Sequence, residues 1–271
     1  MHFGEPSGVI TLTTDFGLKD PFVGVMKGVI LGRFAAARIV DLTHEVHAHW
    51  PVEAGFWLQR SFEYFPRGTV HVAVVDPGVG TARELVAVEA AGHLLLAPDN
   101  GLLAPIVELF PSARILRLNP AQWSTLNLQR PSATFHGRDI FAPLAAELAA
   151  GRVRPQSLGE PISTLVPSWL EPPLIAPNTV SGVVVTFDHF GNLLTNIDAK
   201  LLNTFVEPQV YVGHQVLPLR RTYGDVKPGE FLALLNSFSV VEIACAEGDA
   251  ADRLGVSRGA PVVVRDAVRH R

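Results

Sequence analysis

The pattern of apolar residues changes partway along the chain, and this change constrains the fold more than any other feature. From residue 9 to about residue 151, apolar, β-branched runs alternate with segments of helical spacing. Such alternation predicts an α/β domain whose mostly parallel sheet is covered by helices on both faces. From residue 179 onward, the segments are short and strand-like with turn residues between them, which predicts a smaller, all-β, barrel-like or sandwich domain.

The chain is therefore divided into three parts: an α/β domain over residues 1–160, a linker over 161–178 and a β domain over 179–271. The linker contains five prolines without periodicity, which is typical of an ordered connection. In the α/β domain we predict strands over residues 9–14, 38–42, 70–75, 85–88 and 94–97, and helices over 21–34, 50–64 and 140–150. In the β domain we predict strands over 182–187, 209–212, 231–235, 239–244 and 261–265, and one helix over 249–254.

Two helix ends carry specific signals. Asp20 precedes Pro21, so Asp20 is the expected N-cap of the first helix, with the proline in its first turn. Gly151 follows an alanine- and leucine-rich segment and is expected to end that helix.

Composition excludes several classes of protein. Of 271 residues, 48% are hydrophobic and 18% charged, as in a well-buried α/β protein and not in a disordered one. The net charge of −4 gives no basic footprint for nucleic acid. The one cysteine, Cys245, excludes an internal disulfide and a multi-cysteine metal site, and its apolar neighbours predict a buried, inert thiol.

No apolar stretch reaches the roughly 20 residues that a membrane-spanning helix needs. Residues 1–8 also lack the charged and then apolar pattern of a signal peptide. We therefore expect a cytoplasmic protein with no membrane partner.

Acidic residues follow several of the predicted strands. Asp15, Asp41 and Asp76 each come directly after an apolar run, and Asp99 follows another through Pro98. In a parallel sheet these carboxylates would gather at one edge, where open α/β sheets bind ligands. The alternative is that they only form turns and cap helices, and Asp41 is the one most expected to be structural.

The loop over residues 76–80 (Asp-Pro-Gly-Val-Gly) is the most informative of these strand ends. Its glycine spacing fits neither the phosphate-binding P-loop nor the dinucleotide fingerprint. Together with Arg83, and with His136 in a second loop, it supplies a carboxylate, a guanidinium and an imidazole. Such groups can hold one water molecule. The alternative is an ordinary ion pair and an ordinary loop histidine.

A metal site is a further alternative. Asp15, Asp41, Asp76, His44 and His136 are residues of suitable type, and a metal could activate water. However, the sequence contains no His-x-x-x-His pair or similar spacing, so we expect no metal.

The chain resembles the S-adenosyl-L-methionine hydroxide adenosyltransferases, which are relatives of the fluorinating and chlorinating enzymes that attack the same substrate. The matching segments run in family order through nearly the whole chain: residues 13–17 (Thr-Thr-Asp-Phe-Gly) with Asp20; 41–44 (Asp-Leu-Thr-His); 75–80 (Val-Asp-Pro-Gly-Val-Gly) with Arg83; 97–103 (Ala-Pro-Asp-Asn-Gly-Leu-Leu); 134–139 (Thr-Phe-His-Gly-Arg-Asp); 190–192 (Phe-Gly-Asn) with 195–197 (Thr-Asn-Ile); and 236–237 (Asn-Ser).

The resemblance implies that Asp76, Arg83 and His136 form the family's water-holding triad. The substrate is a sulfonium cation, so methionine leaves the ribose 5′ carbon as a neutral thioether and needs no general acid. The enzyme must supply an oxygen nucleophile aligned opposite the departing sulfur. The sequence does not distinguish which member of the triad is the base.

The resemblance also implies a set of substrate-binding residues. Asp15 matches the residue that binds the ribose hydroxyls, Asp188 and Ser237 match groups that hold the methionine portion, and Asn192 matches the amide that reads adenine. The remaining expected contacts are Tyr223 and Phe190 on the adenine side, Trp50 near the ribose, and Asp20 beside the Asp15 motif.

Finally, the resemblance implies a homotrimer with sites between subunits and a reaction without a cofactor. The halogenating relatives have a tyrosine at the position of Asp76, and Phe238 replaces their carboxylate-binding arginine, which leaves the partner of the methionine carboxylate open. A halide adenosyltransferase and a non-catalytic sensor of the same ligand are the alternatives to a hydrolase.

Overall fold

The computed structural model describes residues 3–120, 123, 126, 128 and 130–267. The chain forms two compact units, Met1–Trp169 and Leu170–Arg271. Both ends of the proline-rich segment are strands. Pro161 and Ile162 belong to the last strand of the first unit, and Leu174–Ala176 is the first strand of the second.

The first unit alternates strands and helices. Its strands are β1 (Val9–Thr14), β2 (Arg38–Thr43), β3 (Val70–Val74), β4 (Leu85–Ala90), β5 (His93–Pro98), β6 (Arg114–Leu118) and β7 (Gly159–Ile162). Its helices are α1 (Phe22–Arg33), α2 (Pro51–Ser61), α3 (Ala104–Leu109) and α4 (Ala142–Ala149), with short 3₁₀ turns at Phe62–Tyr64 and Pro155–Ser157 and a π-helical turn at Gly137–Phe141.

These strands form one mixed sheet in the order β2-β1-β3-β5-β4-β6-β7. Strands β2, β1, β3 and β5 are parallel to their neighbours in this group. Strands β4, β6 and β7 are added by antiparallel pairings. Only Ala91 and Gly92 connect β4 to β5, and both have positive φ. A two-residue connection of this kind makes a hairpin and requires antiparallel strands.

Helices cover both faces of this sheet, which confirms the predicted α/β class. On one face, Met26 and Ile30 of α1 pack with Leu144 of α4 against the strands. On the other, Leu58 of α2 and Ile106 of α3 lie in a second core. Each such side chain contributes about 1.5–3 kcal/mol when fully buried.

The two predicted helix ends have different outcomes. Gly151 has a φ of +68° just after α4, so the predicted stop is confirmed. The N-cap prediction for Asp20 is wrong. Pro21 occupies the N-cap position of α1 in a helical conformation, and no side chain caps that end. The helix therefore begins one residue after the proline.

The second unit is built almost entirely of strands. They are β8 (Leu174–Ala176), β9 (Thr179–Phe187), β10 (Leu193–Asp198), β11 (Pro208–Val212), β12 (Gln215–Arg220), β13 (Phe231–Leu235), β14 (Val240–Cys245) and β15 (Pro261–Asp266). Helix α5 spans Ala250–Leu254, with Asp249 as its N-cap, and short 3₁₀ turns lie at Ala199–Leu202 and Tyr223–Asp225.

Seven of these strands close into a barrel, as predicted. The order is β10-β14-β13-β12-β11-β15-β9, and β9 also pairs with β10, while β8 pairs with β9 outside the ring. The barrel encloses aliphatic side chains such as Val184, Val210 and Ile243. Cys245 is buried, as predicted. In the described part of the chain, no helix combines the length and apolar character needed to cross a membrane.

Candidate active site

Three of the four predicted carboxylates lie at one edge of the first sheet, since Asp99 follows β5, which is parallel to β3, and accepts from the Val166 backbone at 2.9 Å. Strands β1 and β3 are parallel neighbours, so Asp15, which follows β1, and Asp76, which follows β3, leave the sheet on the same side. Asp41 instead lies inside β2 and contacts Lys27 at 2.6 Å and His44 at 3.0 Å. These ion pairs are consistent with the structural role expected of Asp41.

Asp76, Arg83 and His136 are in direct contact, and we call them the triad. The Arg83 guanidinium donates from Nε to Asp76 Oδ1 at 2.6 Å and from Nη2 to Oδ2. The same Nη2 lies 2.8 Å from His136 Nδ1. The side chains of Asp76 and Arg83 are only 4% and 10% exposed, so this pair is not a loosely solvated surface ion pair.

The contact with Arg83 fixes the tautomer of His136. A guanidinium has donors and no acceptor, so Nδ1 must accept and the ring proton of the neutral imidazole lies on Nε2. Burial lowers the pKa of His136, and the positive charge of Arg83 lowers it further, against the opposing effects of Asp76, Asp139 and the Ser132 backbone. His136 is therefore a neutral imidazole near pH 7.

Two glycines shape the backbone around the triad. Gly80 has a φ of +77°, and a Cβ on it would overlap the carbonyl oxygen of Ala133, so the loop of Asp76 lies directly against the segment before His136. Gly137 opens the π-helical turn that follows His136, and a Cβ there would approach Met26 Sδ to 3.1 Å. π-Helical turns of this kind are frequent at functional sites.

Two members of the triad, Asp76 and His136, border a cavity of about 210 Å³. Asp15, Asp76 and His136 line it, together with His49 and Phe135. Asp15 Oδ2 accepts a hydrogen bond from the His49 backbone at 2.9 Å, which ties the loop after β1 to the residues before α2. The structure thus brings Asp15, Asp76 and His136 together around one space.

Trp50 and Asp20 are not among the residues that line this cavity. The Trp50 ring meets Trp169 edge-to-face at a centroid distance of 6.0 Å. Its indole Nε1 is buried and has no hydrogen-bond partner among the described residues. Asp20 is exposed.

In the second unit, the turn between β9 and β10 places Asp188 against Asn192. Asp188 Oδ1 accepts from the backbone N–H groups of Phe190 and Asn192, and Oδ2 accepts from Asn192 Nδ2, all at 2.9 Å. Gly191 has a φ of +80°, and a Cβ on it would collide with the Asp249 carboxylate. Phe190 is 72% exposed beside this turn.

Tyr223 and the turn that carries Ser237 meet at a carboxylate that the sequence analysis missed. The Tyr223 hydroxyl and Asn236 Nδ2 both donate to Glu242, and Ser237 is exposed on the turn between β13 and β14. Burial raises the pKa of Tyr223, as do Glu242 and the charge of Asp188.

Glu242 did leave a signal in the sequence. It is an acidic residue inside the apolar run 240–246, and a charge within such a strand points to a specific partner. The structure also shows that no three His, Cys, Asp or Glu side chains of the described residues come together as a possible metal site.

Comparison with known proteins places these two units in one family. The family models for the N-terminal and C-terminal domains of SAM hydroxide adenosyltransferases match residues 10–159 and 182–263. The chain is 41% identical over 256 residues to an (R)-S-adenosyl-L-methionine hydrolase from Thermus thermophilus, covering 92% of this chain and 96% of that protein. The hydrolase of the same name from Salinispora tropica is 40% identical, with coverages of 94% and 96%.

A fluorinase from Nocardia brasiliensis is more distant, at 27% identity over 70% of this chain and 71% of that protein. Among solved structures, an uncharacterized conserved protein from Thermotoga maritima superposes with a TM-score of 0.84 at 35% identity, over 94% of this chain and 99% of that one. The chain belongs to the SAM hydroxide adenosyltransferase family, a family of enzymes, and the resemblance drawn from its motifs is confirmed.

Proposed function

We propose that this protein hydrolyses S-adenosyl-L-methionine to adenosine and L-methionine, by attack of a water oxygen on the ribose 5′ carbon. The observation that carries the proposal is the contact of Asp76, Arg83 and His136 beside a cavity that also contains Asp15. Relatives at 40% and 41% identity bear the name of this hydrolase.

The contacts within the triad suggest a different chemical role for each of its three members. His136 Nδ1 faces Arg83 and its Nε2 already carries the proton, so His136 is not free to act as the base. Asp76 is the carboxylate of the triad, and we infer that it accepts the proton of the attacking water. Arg83 stabilises the hydroxide-like oxygen that develops, and His136 orients it by donating from Nε2.

The step balances without another reactant. The new bond joins the water oxygen to the ribose carbon, and the carbon–sulfur bond breaks. Its electron pair stays on sulfur, which neutralises the sulfonium, and the water proton passes to Asp76. We expect no cofactor, and this expectation remains a prediction.

We assign the binding groups as the family resemblance implies. Asp15 accepts from the ribose hydroxyls, and Asp188 pairs with the methionine ammonium near Ser237. The amide of Asn192 reads the adenine edge, and Tyr223 and Phe190 contact the adenine side of the substrate. Trp50 and Asp20 flank the ribose region. A hydrogen bond joins Asn192 Nδ2 to Asp188 Oδ2, so these two side chains lie next to each other.

We also infer that the protein assembles as a homotrimer in the cytoplasm, with each site formed between subunits. An apolar surface on the first unit supports assembly. Helix α1 exposes Phe22, Val25 and Leu31, and the space beside the Cβ positions of its three glycines is open.

Product analysis tests the proposed reaction. Chelator-treated protein is incubated with S-adenosyl-L-methionine in ¹⁸O-labelled water, with and without chloride, and the products are identified by mass spectrometry. We expect methionine and adenosine labelled at the 5′ oxygen. A 5′-chlorinated nucleoside would identify a halide adenosyltransferase, and tight binding without any product would identify a sensor.

The Asp76→Ala variant tests the assignment of the base. We expect turnover to be abolished while the dissociation constant for S-adenosyl-L-methionine, measured by calorimetry, changes little. Full activity in this variant would refute the role of Asp76.

A further inference from the structure

A buried carboxylate in the second unit has no task in the reaction described above. Glu242 lies in the middle of β14, a strand whose six residues are all buried, and is 3% exposed. Burying a carboxylate costs several kcal/mol unless hydrogen bonds compensate for the lost water. The hydrogen-bond partners of Glu242 therefore indicate the role of this buried carboxylate.

Both oxygens of Glu242 accept a hydrogen bond from the rim of the barrel. The Tyr223 hydroxyl donates to Oε1 at 2.6 Å, and Asn236 Nδ2 donates to Oε2 at 3.0 Å. Tyr223 is 45% exposed, so its ring stands at the surface while its hydroxyl reaches inward. One buried group thus holds two surface elements that are 13 residues apart in the chain.

The orientation of the Asn236 amide is fixed from its other side. Its Oδ1 accepts from the backbone N–H groups of Phe238 at 3.0 Å and Val240 at 3.3 Å. The amide nitrogen must therefore face Glu242 as a donor. These three bonds brace the turn that carries Ser237, where Ser239 has a φ of +57°.

A carboxylate accepts from both donors at once. A glutamine has a single acceptor oxygen, so it can serve both partners only if the Tyr223 hydroxyl turns round and accepts from its amide nitrogen, and the negative charge is lost. Burial raises the pKa of Glu242, and the nearby charge of Asp188 raises it as well, whereas the bonds from Tyr223 and Asn236 lower it. Those bonds favour the ionised form of Glu242.

We propose that Glu242 is a positioning residue for substrate binding, because it holds Tyr223 and the turn of Ser237 in a single arrangement. This inference rests on the proposed function, which uses Tyr223 for the adenine side and Ser237 for the methionine portion. Glu242 acts through these residues and does not itself touch the substrate.

Steady-state kinetics of Tyr223→Phe, Glu242→Gln and the double variant test the proposal. Removing the hydroxyl deletes one hydrogen bond and keeps the ring, so we expect KM to rise roughly fivefold. Glu242→Gln replaces two charge-assisted bonds by neutral ones and reverses the bond to Tyr223, so we expect a rise of similar size, about fivefold. In each case kcat should stay within about twofold, because every member of the triad belongs to the first unit.

The double variant shows whether the two residues act together. We expect its KM to stay well below the product of the two single increases, since both substitutions act on the same hydrogen bond. An increase in KM equal to that product, or a fall in kcat at unchanged KM, would overturn the proposal. So would an unchanged KM in the folded variants.

Glu89→Gln is the matched control. Glu89 is a buried glutamate in the first unit that also accepts two bonds, from the Phe3 backbone and Gln156 Nε2. We expect Glu89→Gln to lower stability without changing KM. If Glu242→Gln does not fold, the Tyr223→Phe result decides alone, since loss of an exposed ring's hydroxyl leaves the barrel core intact.

The two hypotheses fail separately. A wild-type protein without hydrolase turnover refutes the proposed function. Calorimetric dissociation constants for S-adenosyl-L-methionine in the same variants still test Glu242, because binding requires no turnover.

Discussion

At the scale of single residues, Arg83 contacts two side chains of different chemistry, a carboxylate and an imidazole. It donates two hydrogen bonds to the Asp76 carboxylate and one to the imidazole of His136. A lysine has no planar fork and cannot reproduce this set of contacts. The charge of Arg83 and the direction of its N–H groups both act on the chemistry of the histidine.

We predict that Arg83→Met raises the pKa of His136, because the positive charge that lowers it is gone. Nuclear magnetic resonance of the imidazole nitrogens measures this pKa and also reports the tautomer, which should no longer be fixed with the proton on Nε2. Turnover should fall about 10²-fold or more.

Arg117→Met serves as the control for that experiment. Arg117 is an exposed arginine that pairs with Glu160 at 3.2 Å, so its loss should leave the His136 pKa unchanged. An unchanged pKa in Arg83→Met would show that Arg83 does not set the protonation of the histidine.

At the scale of elements, the loop from Asp76 to Arg83 depends on one glycine. We predict that Gly80→Ala destabilises the protein by more than the roughly 1 kcal/mol that a positive φ costs an alanine, because its Cβ would also overlap the Ala133 carbonyl. Turnover should fall with it, since the loop carries Asp76. Urea unfolding and kinetics measure the two effects.

Gly151→Ala isolates the cost of backbone conformation. Gly151 has a φ of +68°, and a Cβ on it would meet only Pro6 at 3.6 Å, an ordinary contact. Equal losses of stability in the two variants would contradict the proposed close approach at Gly80.

The first sheet also contains a pair of buried histidines, one in β3 and one in β5. His71 Nε2 lies 3.2 Å from His93 Nδ1, and Thr11 Oγ1 lies 2.8 Å from His71 Nδ1. Burial lowers the pKa of His71 to about 3, with a further contribution from His93, and burial also lowers the pKa of His93. The folded protein therefore keeps both rings neutral.

We predict that stability falls as the pH drops below about 6.5, because the unfolded chain then binds protons that the folded protein excludes. For His71 this loss continues down to about pH 3, at up to roughly 1.4 kcal/mol per pH unit. Urea unfolding of His71→Phe should show a weaker pH dependence in this window. His214→Gln, at an exposed site, should behave like the wild type.

The sequence predicted the elements well where periodicity was strong. Strands β1 and β3 and helix α2 lie close to their expected positions, and the acidic strand ends led directly to Asp15 and Asp76. Strands β6, β7, β8, β10 and β12 and helix α3 were missed, and in β10 and β12 the apolar pattern is interrupted by Asn196 and Pro218. The role of Glu242 depends on a contact with Tyr223, 19 residues away, which no local pattern encodes.

At the scale of the whole molecule, the exposed apolar face of α1 bears on assembly. We predict that Val25→Asp, which places a charge on this face, dissociates the proposed trimer and removes activity, because sites between subunits need both partners. Light scattering coupled to size-exclusion chromatography gives the mass.

Leu174→Asp is the control, because Leu174 is exposed on β8 in the second unit. A Val25→Asp variant that stays trimeric would show that α1 is not the interface. A monomeric wild type would refute the trimer itself.

The closure of the barrel has a consequence for protein engineering. Strands β9 and β15 are neighbours, and Thr179 pairs with Arg265, so the polypeptide enters and leaves the barrel at one place. The two ends can be spliced by a short linker and the ring reopened at Gly213 and His214, between β11 and β12. Such a circular permutant should keep every strand pairing of the barrel, although its chain begins at β12 and ends at β11.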